Sequence, residues 1–70
     1  MNNRIMLGVQ GVDNYGQMEQ IIQALKGQKG VSAVEMQQLG EIAVEYDPQR
    51  LTVMDLIRVV REEGFLAGML

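Results

Sequence analysis

The sequence predicts an α+β sandwich of order β-α-β-β-α-β, four antiparallel strands with two helices on one face. Three observations carry this. Met18, Ile21, Ile22 and Leu25 recur at i, i+3, i+4, i+7, and Val53, Leu56, Ile57 and Val60 repeat the same spacing. That is the signature of two amphipathic helices. Between and around them run short stretches in which apolar and polar residues alternate, as in strands with one buried face. The two halves of the chain echo one another, each a strand, a helix and a strand.

"RIMLGV" opens the chain's first strand, with Ile5, Leu7 and Val9 on one face and Arg4, Met6 and Gly8 on the other. "GVDNYG" is rich in Gly, Asp and Asn and reads as a loop. Asn14 or Asp13 is placed to cap the first helix. Its outward positions, Gln17, Glu19, Gln20, Gln23 and Lys26, are polar and helix-tolerant. Gly27 and Gly30 end it, with Lys26 and Lys29 suited to its negative C-terminal end. "VSAVEMQ" alternates Val34 and Met36 inward with Ala33, Glu35 and Gln37 outward. "QLGE" turns at Gly40, and "EIAVEYD" puts Ile42, Val44 and Tyr46 inward and Glu41, Ala43 and Glu45 outward. A short glycine-containing turn between two such strands makes a hairpin. Thr52 followed by Asp55 fits an N-cap with an acidic N3 partner. Gly64 ends the second helix, and "FLAGML" is a last short strand with Phe65, Ala67 and Met69 on one face. Two βαβ units with right-handed crossovers merge into one sheet. This is the ferredoxin-like sandwich, with predicted strand order 4-1-3-2 and a single domain over residues 1–70.

Composition narrows the chemistry. Among 70 residues there is no cysteine and no histidine. Disulfides, thiolate metal sites and the commonest general base are therefore absent. Six basic against nine acidic residues leave a net charge of −3, which argues against nucleic acid, since phosphate binding needs a basic patch. No apolar run approaches the roughly 20 residues needed to span a bilayer. The start, "MNNRIMLGVQG", is too short in apolar residues for a signal peptide, so a cytoplasmic location is expected.

The strand "IMLGVQGV", the helix "MEQIIQALKGQKGV", the segment "SAVEMQ", then "EIAVEYDP" and "LTVMDLIRVVREEGF" together resemble the heavy-metal-associated domain family. Its members are small copper chaperones, mercury-binding proteins and N-terminal modules of metal-pumping ATPases. The resemblance covers residues 4–67 and is most specific in its last two pieces. It implies a ferredoxin-like fold and transient docking on a partner domain through the loop after the first strand. The family's motif, Gly-Met-x-Cys-x-x-Cys, aligns with Gly11-Val12-Asp13-Asn14-Tyr15-Gly16-Gln17. The glycine is kept and Val12 replaces the methionine. Asn14 and Gln17 stand where the thiolates would be, and soft metals need thiolate. No cofactor and no tight soft-metal binding are expected here.

Other candidates are weighed on their residues. Asp13, Asn14 and Gln17 offer a hard cation one carboxylate, too few oxygens for Ca²⁺ or Mg²⁺. The six methionines form no Met-x-Met or Met-x-x-Met cluster. Met18 and Met36 are expected in the core, Met54 on the flank of the second helix, and Met1 and Met69 near the termini. Tyr15 is either a docking anchor or packed on Phe65; Tyr46 is expected in the core. Arg58 is expected to pair with Glu62 on an exposed helix face. The uncovered sheet face should show Arg4, Met6, Gly8, Ala33, Glu35, Ala43, Glu45, Leu66 and Gly68. Leu66 and Met6 are expected to be neighbours across from Ala43, as a modest apolar patch.

These features point to a protein-interaction or regulatory module related to metal trafficking, working through a protein partner or self-association. Its contact residues would be Asp13, Asn14, Tyr15, Gln17, Met6 and Leu66. The alternative is a dimeric, amino-acid-type ligand sensor using the loop "GVQGVDNYG". An enzyme finds no support, since no pair of acids shares an apolar cleft and no basic residue flanks the glycine loop. An RNA-binding sheet would need outer-face aromatics, which are missing.

Overall fold

The computed structural model describes residues 2–70; Met1 lies outside the described residues. The elements run β1 (Asn3–Gln10), α1 (Tyr15–Lys26), β2 (Val31–Gln38), β3 (Glu41–Tyr46), α2 (Val53–Glu62) and β4 (Leu66–Met69). The sheet order is β2-β3-β1-β4 with every neighbouring pair antiparallel. This is the predicted 4-1-3-2 order of the ferredoxin-like sandwich.

The core sits between the sheet and the two helices. Leu7, Met18, Ile21, Leu25, Ile42, Val44, Leu56 and Val60 are fully enclosed, with Tyr46 almost so. Each such aliphatic side chain contributes about 1.5–3 kcal/mol on leaving water. The α1 stripe is buried as predicted. On α2, Val59 joins Leu56 and Val60 in the interior, while Val53 and Ile57 pack on its edge. The predicted stripe omitted Val59, because the helix presents a wider apolar face than a single four-residue pattern allows.

Three expectations about the sheet are corrected. Met36 stands opposite Ile42 on the core side, yet is 42% exposed. Its strand is an edge, and an irregularity between Met36 and Gln38 takes its end out of register. Ala43 lies on the outer face but is only 2% exposed. It sits in the central strand between Met6 and Glu35, whose longer side chains flank it. Leu66 does not neighbour Met6. It pairs with Gln10, four residues further along β1, a separation of about 13 Å along an antiparallel strand. Met6 instead accepts a backbone bond from Leu70 at 3.1 Å.

The short connections follow backbone rules. The β2–β3 turn consists of Leu39 and Gly40, and Gly40 has φ +84°. A side chain there would be strained and would press on the Val9 carbonyl 3.2 Å away. Gly64 has φ +98° just past α2, the left-handed position that ends helices.

Candidate functional site

The loop between β1 and α1 is held from three sides. Gly11, at φ +91°, turns the chain out of β1 with Phe65 beside it. Val12 packs against the core and anchors the loop from below. On the third side, the β2–β3 turn reaches over. Gly40 accepts from the Val9 N–H at 2.7 Å and donates its own N–H to the Met18 Sδ at 3.4 Å. Nothing in the sequence announced this last bond; Met18 reads only as a core residue.

Asn14 is the N-cap of α1 in an extended conformation. Its Oδ1 accepts from the Gln17 N–H at 2.9 Å. The Gln17 Oε1 reaches back and accepts from the Asp13 N–H at 2.6 Å. The two side chains therefore satisfy each other's stretch of backbone, in the manner of a capping box displaced by one residue. The spacing Asn-x-x-Gln was the signal for it, of which the sequence reading used only the cap. Both carboxamide oxygens already accept hydrogen bonds, and both are neutral hard donors, which do not fit a soft metal ion. Among the described residues, no group of three or more His, Cys, Asp or Glu could hold a metal.

Tyr15, the first residue of α1, is 63% exposed. Its ring stays mostly in solvent, while Phe65 turns to Gly11 and the core. The loop thus brings Asp13, Asn14, Tyr15 and Gln17 together. Leu66 lies on the sheet opposite Gln10, at the start of this loop, and Met6 lies four residues back along β1.

Other polar side chains of the two helices are engaged within the fold. The Gln20 Nε2 donates to Glu63 at 2.9 Å, tying α1 to the end of α2. Arg58 pairs with Asp55 at 3.1 Å, not with the expected Glu62. Asp55 is fixed by the α2 cap, where Thr52 donates its backbone N–H to the carboxylate at 2.8 Å. That bond, more than the Arg58 guanidinium, holds the Asp55 carboxyl below its ordinary value of 3.8. An open cleft of about 410 Å³ lies beside the loop, between the Leu39–Glu41 turn and Gly68–Leu70. Its floor includes Gly8 and Gly68, paired across β1 and β4.

No family model matches this sequence, and no curated protein does. Solved structures match it closely in shape. The oxidized MerP from Ralstonia metallidurans CH34 is 18% identical with a TM-score of 0.89, over 99% of this chain and 97% of that one. A copper-binding domain from the P-type ATPase HMA7 is 25% identical with a TM-score of 0.90, over 100% and 95%. The N-terminal domain of a potential copper-translocating P-type ATPase from Bacillus subtilis, solved loaded with Cu(I), is 23% identical with a TM-score of 0.89, over 99% and 88%. The chain has the fold of the heavy-metal-associated domains. No helix among the described residues is long and apolar enough to cross a membrane.

Proposed function

We propose that this chain is a heavy-metal-associated-like domain that has given up metal ligation and acts by protein contact, in a setting related to metal trafficking in the cytoplasm. One observation carries the reading. Asn14 and Gln17, which the resemblance aligns with the family's thiolate positions, are both engaged by backbone N–H groups of the helix start. Beside this cap, Tyr15 stands out into solvent. Tyrosine offers a large apolar ring with a polar tip and is enriched at protein interfaces. Its place on a helix end held by Val12, Met18 and Gly40 gives it a rigid base. The structural neighbours are metal-binding domains of chaperone and ATPase type, which supports the trafficking context. The domain would contact a partner through Asp13, Asn14, Tyr15 and Gln17 and serve as a regulator or scaffold, without catalysis.

Affinity capture from the host's own extract tests this, with the Tyr15→Ala chain run in parallel. A protein retained by the native chain and lost from Tyr15→Ala is the expected result. Equal recovery on both removes Tyr15 from the interface.

A further inference from the structure

The two edges of the sheet are built differently. The β2 edge carries Glu35 and polar side chains, and its register is broken between Val31 and Ala33 and again between Met36 and Gln38. Charges and irregularities of this kind keep an edge from pairing with another chain. The β4 edge has none of these protections. Residues 65–70, "FLAGML", contain no charged side chain and no proline, and the β1–β4 register runs without a break. Leu66, Met69 and Leu70 are 60%, 65% and 70% exposed, three of the most exposed large apolar side chains among the described residues.

We infer that β4 is the contact edge of a homodimer, in which two copies pair their β4 strands antiparallel about a two-fold axis at Gly68. The backbone sets this register. The Leu70 N–H donates to the Met6 carbonyl, so residues 66, 68 and 70 turn their polar groups toward β1. By the alternation of an antiparallel ladder, Ala67 and Met69 turn theirs to the open side. With the axis at Gly68, Ala67 of one copy faces Met69 of the other, and each N–H meets a carbonyl. Leu66 then lies across from Leu70 of the second copy, so every exposed apolar side chain of the strand gains an apolar neighbour.

A second copy is the occupant that fits, because the strand is self-complementary. It brings no charged side chain to the axis, whereas pairing through β2 would bring Glu35 of each copy to the shared edge. The same surface patch serves both copies, as a closed two-fold contact requires. Four residues cover less than the roughly 800 Å² per partner of a stable interface, so the dimer is weak. The net charge of −3 on each copy opposes it, and salt strengthens it by screening that repulsion. The contact uses no residue of the α1 cap, so it stands or falls separately from the role of Tyr15.

Sedimentation of the chain from micromolar to millimolar concentration tests the inference. The average mass is expected to rise toward twice the monomer, more so at high salt. The Ala67 and Met69 amides should gain protection from hydrogen exchange as concentration rises. Leu66→Glu, a change at an exposed site that adds to the repulsion between copies, should weaken association by about tenfold, while the neutral Met36→Gln on the other edge leaves it unchanged. A single monomeric mass up to millimolar concentration overturns the inference. So does a dimer that survives Leu66→Glu and is lost in Met36→Gln.

Discussion

The two helix starts share one plan and differ in their chemistry. In α2, the Thr52 hydroxyl accepts from the Asp55 N–H and the Asp55 carboxylate accepts from the Thr52 N–H. Leu51, just before the cap, packs on the core cluster that contains Leu56. This is a capping box with an apolar residue placed for a hydrophobic staple, and its acid suits the positive end of the helix. In α1, Asn14 and Gln17 do the same work without any charge, no acid lies in the first turn, and the residue before the cap is Asp13. An acid at N3 would have made a stronger start for α1. Without it, the start of α1 is held less strongly than that of α2. The cap closes the helix, and the exposed Tyr15 is left over.

Interior substitutions at the matching fourth position of each helix should have the largest effects. Met18→Ala and Leu56→Ala each remove a fully enclosed side chain, and each should cost about 2–5 kcal/mol in chemical unfolding. Met18→Ala additionally frees the Gly40 N–H, so its amide should exchange faster while the corresponding variant of α2 leaves it protected. Equal exchange at Gly40 in both variants would mean that the sulfur does not hold the turn.

The caps themselves come next. Thr52→Ala and Asn14→Ala should each cost about 1 kcal/mol, a fall of roughly 4–8 °C in Tm for a domain of this size. The two losses should be similar, because Thr52→Ala removes only the hydroxyl that accepts from the Asp55 N–H and keeps the backbone N–H that donates to the Asp55 carboxylate. If Asn14→Ala had no effect on Tm, the bond to Gln17 would not be holding the start of α1.

The smallest effect is a difference in acid response. The Asp55 carboxyl is held below its ordinary value of 3.8, so the charged form is the one the fold favours. Its contribution is complete above that value and is lost as pH falls through the lower folded value. The carboxamides of α1 do not titrate. Asp55→Asn should therefore flatten the part of the stability–pH curve below 3.8, whereas Gln17→Ala should lower the curve without changing its shape. A curve for Asp55→Asn parallel to that of the native chain would contradict this.

Much of this was legible in the sequence, for identifiable reasons. The helix stripes, the Thr52–Asp55 cap and the Gly40 turn are local patterns, readable from residues a few positions apart. What escaped the reading depends on register and neighbours. The burial of Ala43 follows from Met6 and Glu35 on adjacent strands, and the exposure of Met36 from its place on an edge. Leu66 and Met6 were paired by strand adjacency alone; the four-residue offset between them is set by where β4 begins. Arg58 found Asp55 one turn back because the cap had already fixed that carboxylate. At the loop, the absence of cysteine is plain in the sequence, but that Gln17 folds back on Asp13 is visible only with the backbone in place.

The central claim is that Asn14 and Gln17 serve the helix and not a metal. Titration with Cu(I) against a thiolate competitor tests it directly, on the native chain and on the Asn14→Cys, Gln17→Cys double variant. The native chain should leave all of the Cu(I) with the competitor, and the double variant, which places two thiolates at these positions of the loop, should take up one equivalent. Uptake of one equivalent by the native chain would contradict the account.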